Sequence, residues 1–312
     1  AVIELTSEGA RQSRHLFTAL DALVFTNLTP EHIESHGSFE NYRDAKRSLA
    51  RALAHSGKKK KYMVANTDDG EGKIFLRIAG RGDAEKHSYS LADAEPYELR
   101  EDGVTFTFDG ETFTSPIRGI FNIRNILAAL VFARSQGIPM GTIKKTLVAF
   151  KGVAGRMEKI ELLRANQNFS VYVDYAHTPD ALQNVYGIFP KSRKICVLGA
   201  TGGGRDKWKR PVLGEIAAAH CAEIIVTNED PYDEDPQKIL DEVASGVSSN
   251  VKCFKILDRR EAIRKAFSAA RAGDVVIITG KGTDPYIMGP RGTKIPWSDT
   301  EVAREELKRM LN

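Results

Sequence analysis

Residues 171–182 read VYVDYAHTPDAL. The first five are apolar and β-branched or aromatic around a single aspartate, the composition of a strand buried in a parallel sheet. Thr178 can cap a helix N-terminus, and Pro179 suits the first helical position, where no backbone N–H is needed. The stretch is thus one strand–turn–helix unit. Asp174, Tyr175 and His177 fall at the carboxyl end of its strand, where open α/β sheets bind their ligands. On local grounds alone, Asp174 can equally serve backbone donors, and His177 can be a packed turn residue.

Outward from this unit the alternation continues. Strands KICVLGA, EIIVTN, CFKIL and DVVIITG are interleaved with helices expected over 179–189, 209–220, 235–248, 259–271 and 299–311. That is a Rossmann-like, doubly wound parallel sheet with crossover helices. Three strands run into polar loops: TGGGRDKWKR, EDPYDEDP and KGTD. Gly199 and Gly204 have phosphate-loop separation, but Arg205-Asp206 follows, so the loop is neither a Walker A nor a dinucleotide fingerprint. Three such loops on one sheet edge point to a binding site.

Toward the N-terminus, AVIEL reads as a strand over 2–5 that begins with no lead-in, so further sequence is expected upstream. A helix is expected over 9–20 and a strand at ALVFTNL. FENYRDAKRSLARAL places Phe39, Tyr42, Leu49 and Leu53 at helical spacing; Lys46 within it reads, unaided, as a solvent-facing lysine. KKYMVANTDD is a strand. Residues 71–116 read as β-rich, with KIFLRIA, YELRE, VTFTFDG and ETFTSPI alternating at a period of two. IRGIFNIRNILAALVFARSQG opens on a glycine turn and becomes an apolar helix, with Asn122 and Asn125 on one face. A helix over 139–150 leads into the glycine-rich GVAGRMEKI, which divides the α/β chain into domains 1–152 and 153–312.

Composition narrows the function classes. The 312 residues carry a formal net charge of +4, too small a basic excess to argue for nucleic acid. No apolar run is long enough to span a membrane. Cys196, Cys221 and Cys253 fit neither a disulfide framework nor a zinc site, so a reducing cytoplasm is the simplest setting.

An ordered set of motifs resembles the Mur ligases, most closely the UDP-N-acetylmuramoyl-tripeptide synthetase (MurE) type. It comprises Glu4-Leu5-Thr6-Ser7, Thr26-Asn27-Leu28 with His32, Asn41-Tyr42-Arg43-Asp44-Ala45-Lys46, Phe121-Asn122 with Asn125, Gly155-Arg156-Met157-Glu158, Asp174-Tyr175-Ala176-His177-Thr178-Pro179 and Gly280-Lys281-Gly282. The resemblance covers nearly the whole chain. It implies part of the family's central ATPase domain, a mixed sheet with helices, followed by its Rossmann-like C-terminal domain. It implies an ATP-dependent acid–amino-acid ligase: a carboxylate takes the γ-phosphoryl group, and an incoming amine displaces phosphate to form an amide. The substrates implied are UDP-N-acetylmuramoyl-peptide and a free amino acid, in a cytoplasmic monomer.

Residue by residue, the resemblance implies Glu4 and His32 as Mg²⁺ ligands, and Lys46 as a lysine that is carbamylated to become a ligand for a second Mg²⁺. This reverses the solvent-facing reading of Lys46. Thr6, Gln12 and Arg14 match muramoyl-peptide contacts. Asn122 and Asn125 match the adenine side, Arg156 and Asp174 the rest of the nucleotide, and His177 the catalytic edge. Arg205, Glu229, Asp230, Pro231, Tyr232, Gly280 and Asp284 match the amino-acid pocket. Two departures stand out. The family's G-T-[NT]-G-K-[ST] loop and uridine-binding domain are not among these residues; they are expected before Ala1, and the chain by itself is expected to be inactive. Diaminopimelate-adding members carry Asp-Asn-Pro-Arg where this sequence has Glu229-Asp230-Pro231-Tyr232. With an acidic run in place of arginine, lysine or ornithine is the expected amino acid. The alternatives are a folylpolyglutamate- or cyanophycin-synthetase-like ligase, and a non-catalytic ligand-binding remnant.

Overall fold

The structure, a computed structural model, describes residues 1–100, 102–162 and 167–311. Glu101, which closes the expected YELRE strand, lies outside the described residues. The chain forms two compact units, Ala1–Lys151 and Gly152–Asn312.

In the first unit the order is α1 (Ser7–Arg11), β1 (Ala22–Phe25), α2 (Ile33–His36), α3 (Phe39–Ala54), β2 (Tyr62–Asn66), α4 (Gly70–Gly80), β3 (Glu85–Tyr89), β4 (Tyr97–Arg100), β5 (Gly103–Phe108), β6 (Glu111–Ser115), α5 (Ile120–Ser135) and α6 (Met140–Ala149). Strands β1-β2-β3 form a parallel sheet, and β4-β5-β6 an antiparallel one. Leu49 and Leu53 of α3 pack with Phe25, Met63 and Phe75 in one core, while Phe106, Phe113, Ile123 and Leu127 fill another. The helix α3 begins where Ser38 accepts the Asn41 N–H and buries the Tyr42, Leu49 and Leu53 stripe.

Three expectations fail in this unit. KIFLRIA is not a strand but the body of α4. Asp69 caps it by accepting the Glu71 N–H, and the buried residues Gly72, Phe75 and Ala79 follow helical spacing. Gly72 is required because a Cβ there would overlap the Asn66 carbonyl. AVIEL forms no strand: residues 1–6 lie outside regular structure, with Val2 and Ile3 exposed. The helix over 9–20 is the short α1, which the Thr6 cap starts early and after which Ser13 (φ 59°) turns the chain away.

The second unit runs β7 (Glu158–Ile160), β8 (Ser170–Val173), α7 (Pro179–Tyr186), β9 (Lys194–Leu198), α8 (Lys209–His220), β10 (Glu223–Val226), α9 (Pro236–Ala244), β11 (Lys252–Lys255), α10 (Arg259–Ala269), β12 (Val275–Ile278), β13 (Tyr286–Met288), β14 (Lys294–Pro296) and α11 (Asp299–Leu311). Six strands form one sheet in the order β11-β10-β9-β12-β8-β7. All pairs are parallel except β7–β8. β12 returns late in the chain to fill the gap between β8 and β9. The outermost strand β11 is four residues long, with an exposed lysine at each end. Thr178 caps α7 through the Ala181 N–H, with Pro179 at its first position. The sheet's core includes Val171, Val197, Ile225, Phe267, Val276 and Ile278. Cys196 and Cys221 form a disulfide, contrary to the reading of the cysteines as unpaired: residues 25 apart in sequence meet at the start of the next strand. Cys253 is free.

Candidate functional site at the carboxyl edge of the six-stranded sheet

Because β8, β12, β9 and β10 run parallel, the loops that follow them share one edge. Asp174 directly follows β8 and is buried. Its Oδ1 accepts the Ala176 N–H and its Oδ2 the Met157 N–H, both at 2.7 Å. Burial raises its pKa, and those two hydrogen bonds with the Arg156 charge oppose the rise. The bland reading of Asp174 is thus correct as far as it goes, since the carboxylate ties the 152–160 segment to the turn. Each oxygen still keeps acceptor capacity. Beside it, the Arg156 guanidinium lies 4.2 Å over the Tyr175 ring, and the His177 ring meets that ring edge-on at 4.7 Å. His177 Nδ1 is 2.9 Å from the Tyr175 carbonyl oxygen, which fixes the imidazole. Burial, then the charges of Asp284 and Glu229, raise the Tyr175 pKa.

The loop after β10 is held from below. Lys281, almost fully buried, donates to both oxygens of Asp230 at 2.8 Å and to Asp284 at 3.4 Å. Asp230 also accepts the Met288 N–H. Tyr232 adopts φ 52°, its N–H donates to the Met288 carbonyl, and its ring lies against Gly203, where a Cβ would stand 2.6 Å from it. Pro231 is buried in the same turn. The rest of the acidic run is also engaged. Asp233 accepts the Arg291 N–H, Glu234 pairs with Arg210 and Lys207, and Asp235 caps α9. The expectation that this run as a whole would attract a terminal ammonium is therefore corrected: its charges are spent on partners, Asp230 on Lys281 most completely.

Glu229 differs. It is 3% exposed, Thr201 donates to its Oε1 at 2.6 Å, and its Oε2 is buried without a hydrogen-bond partner. Gly280, at φ 108°, lies directly against that oxygen, and any side chain there would collide with it. A buried carboxyl oxygen without a hydrogen-bond partner is costly, so this one is open to a donor. Arg205 is exposed on the glycine-rich turn.

In the first unit, Lys46 is half-buried on α3 and donates to the Leu5 carbonyl at 3.1 Å. Burial lowers its pKa, against the charge of Glu4. Thr6 caps α1 by accepting the Gly9 N–H, Gln12 ends that helix, and Arg14 is exposed just beyond it. His32 takes the left-handed conformation (φ 57°) before α2. Among the described residues, no three His, Cys, Asp or Glu side chains converge to hold a metal ion. Asn122 and Asn125 share the first turns of α5; Asn122 donates to the Arg118 carbonyl, and Asn125 donates to Asn122.

Sequence reasoning passed over Lys281, although the Gly-Lys-Gly triplet was in view, and Arg259. A lysine or arginine gives no sign in sequence of being buried beneath a loop.

Two family models match. Residues 1–133 match the Mur ligase middle domain, and residues 155–282 the Mur ligase, glutamate ligase domain. The UDP-N-acetylmuramoyl-L-alanyl-D-glutamate–2,6-diaminopimelate ligase of Synechocystis is 39% identical over 98% of this chain, and the UDP-N-acetylmuramyl-tripeptide synthetase of Roseiflexus 39% over 99%. The chain spans 62% and 65% of those proteins' lengths. A solved UDP-N-acetylmuramoyl-L-alanyl-D-glutamate–2,6-diaminopimelate ligase superposes with a TM-score of 0.59 at 29% identity, over 99% of this chain and 64% of that one. The order of the motifs, the fold of both units and these matches agree that the chain belongs to the Mur ligase family, spanning its middle and C-terminal domains.

Proposed function

We propose that this chain serves ATP-dependent amide ligation, adding a diamino acid to UDP-N-acetylmuramoyl-dipeptide in peptidoglycan precursor synthesis. The observation that carries the reading is the buried, unpartnered Oε2 of Glu229 at the sheet's carboxyl edge, an acceptor suited to an incoming amine. The dipeptide's carboxylate oxygen attacks the γ-phosphorus of ATP, giving an acyl phosphate and ADP. The amine then forms a C–N bond at the acyl carbon, the bond to phosphate breaks, and the amine's surplus proton leaves to solvent.

Thr6, Gln12 and Arg14 hold the muramoyl peptide in this reading. Asn122 and Asn125 face adenine, and Arg156 and Asp174 contact the rest of the nucleotide, Asp174 through its remaining lone pairs. His177, fixed by the Tyr175 carbonyl, stands at the reacting edge. Mg²⁺, when bound, supplies charge neutralisation at the phosphates. Glu4, His32 and Lys46 would hold it. Lys46 fits on one physical ground: a carbamate forms only from a neutral amine, and burial makes this amine easier to deprotonate. The protein acts as a cytoplasmic monomer in this reading, with no nucleic-acid partner.

Arg205, Glu229, Asp230, Pro231, Tyr232, Gly280 and Asp284 form the amino-acid pocket. Tyr232 offers a hydroxyl where an arginine would clamp a distal carboxylate in two hydrogen bonds. The preference is therefore for lysine or ornithine. Similarity to the Synechocystis diaminopimelate ligase favours diaminopimelate instead. A competition assay with the full natural polypeptide decides between them. Lysine, ornithine and meso-diaminopimelate are offered together, and lysine or ornithine is expected to win by about tenfold, worth ~1.4 kcal/mol. Tyr232→Arg should shift incorporation toward diaminopimelate. Preferential diaminopimelate incorporation by the unsubstituted protein refutes the preference, and no incorporation of any amino acid refutes the ligase reading.

A further inference from the structure

Arg259 is the first residue of α10 and is fully buried, where a cation opposes the helix dipole. Its position does not serve that helix. Nε and Nη2 grip both carboxylate oxygens of Asp299, at 2.8 and 2.7 Å, and Trp297 Nε1 donates to the same carboxylate. The rest of the fork reaches elsewhere. Nη1 donates to the Asn228 carbonyl at 3.1 Å, and Nη2 to the Thr279 carbonyl at 2.8 Å.

Those two carbonyls immediately precede Glu229 and Gly280. They follow β10 and β12, which are separated by β9, so no ladder hydrogen bond links them. One guanidinium spans the gap. A lysine could not, because it lacks the planar fork. A well-packed apolar pair of similar volume is often as stable as a buried ion pair, so fold stability alone does not call for the charge.

We propose that Arg259, oriented by Asp299, is a positioning residue that sets Glu229 Oε2 against Gly280 and so fixes the pocket for the incoming amine. The proposal rests on the amino-acid reading of that pocket. It requires that loosening the two carbonyls weaken amino-acid binding while leaving the sites of ATP and muramoyl peptide untouched.

Arg259→Met alone strands Asp299 as a buried unpaired charge and is expected to unfold the unit. The informative variant is Arg259→Met/Asp299→Leu, made in the full natural polypeptide, with Arg259→Lys beside it. Hydrogen exchange without ligand comes first. In the double variant, the amides of Glu229, Asp230, Tyr232 and 280–284 should exchange at least tenfold faster, while those of β8 and β9 keep their protection. Kinetics follow, with whichever of lysine, ornithine or meso-diaminopimelate the unsubstituted protein incorporates. The KM for that amino acid should rise at least tenfold, with the KM for ATP unchanged, and Arg259→Lys should not rescue it. Unchanged exchange in those segments overturns the positioning role, whatever the amino acid. Faster exchange with an unchanged amino-acid KM also overturns it. If the unsubstituted protein incorporates none of the three, the pocket reading falls, and the exchange result still decides whether Arg259 sets these loops.

Discussion

Glu229 and Lys46 are both candidate site residues, one buried and the other half-buried, and their surroundings differ. Around Glu229 the backbone is tied down. Lys281 holds Asp230, Arg259 holds the Asn228 and Thr279 carbonyls, and Met288 exchanges hydrogen bonds with Asp230 and Tyr232. Around Lys46 the ties are light. Its ammonium meets a carbonyl from residues 1–6, which lie outside regular structure, and the exposed Glu4 contributes only its field. The backbone around Glu229, where the amino-acid pocket is proposed, is tied down by the chain's own side chains. In the proposed reading, the Lys46 region is a site that bound Mg²⁺ would complete. Substitutions should therefore separate the two, with activity lost at one and stability lost at the other.

The largest effect is expected at Lys46. In the full natural polypeptide, Lys46→Ala should lower kcat by about 10³-fold or more, in the range of losing a principal electrostatic contact in the transition state. Its thermal midpoint should barely move, since a half-buried lysine contributes little to the fold. Added short-chain carboxylate should restore part of the activity by replacing the lost oxygen donor. A variant that is fully active, or one that is inactive because it unfolds, erases the contrast.

Lys281→Met is next. It leaves Asp230 in its buried position without its cation, which typically costs about 3–5 kcal/mol. Urea denaturation of the second unit should show a midpoint shift of that size. A loss below about 1 kcal/mol means the loop after β10 is not preloaded, and the two regions are more alike than their hydrogen bonds suggest.

How far these features could be read in sequence follows from their range. The 171–182 unit was legible because strand, cap and proline are adjacent, and every residue sits where local chemistry puts it. The alternation after it gave the parallel sheet and, through it, the shared edge of the three loops. KIFLRIA misled because its five apolar residues, broken by Lys73 and Arg77, fit either period; the deciding facts were the Asp69 cap and the approach of Gly72 to Asn66, one local and one tertiary. The engagement of the acidic run was invisible, because its partners Lys281, Arg291 and Arg210 lie tens of residues away. The Cys196–Cys221 bond was missed for the same reason. The role proposed for Lys46 rests on resemblance alone; its own surroundings spell an ordinary amphipathic helix.

The smallest effect sharpens the contrast by pH. Glu306 on α11 accepts from Arg264 at 2.8 Å and Arg260 at 3.0 Å, and these hydrogen bonds hold its carboxyl below the usual range. A depressed carboxylate stabilises the fold above its unfolded pKa of 4.5, and that stability is lost as pH falls through the lower folded value. Glu306→Gln should cost about 1–2 kcal/mol at pH 7, as for a hydrogen-bonded charge, and nothing at pH low enough to protonate Glu306 in both states. Denaturation at both pH values is the measurement. A pH-independent difference would assign the loss to packing instead.

The margin of the six-stranded sheet has a consequence for the protein in crowded solution. Among the described residues β11 has a strand partner on one side only, and such an edge is a template on which another polypeptide can add and from which fibres can grow. Lys252 and Lys255 stand at the two ends of this four-residue strand, and Lys255 is held in place by Asp241. An approaching copy would have to bring its own lysines against these and strip their water. The fold thus keeps its most adhesive border short and charged, and concentrated protein should remain dispersed instead of growing sheet upon sheet.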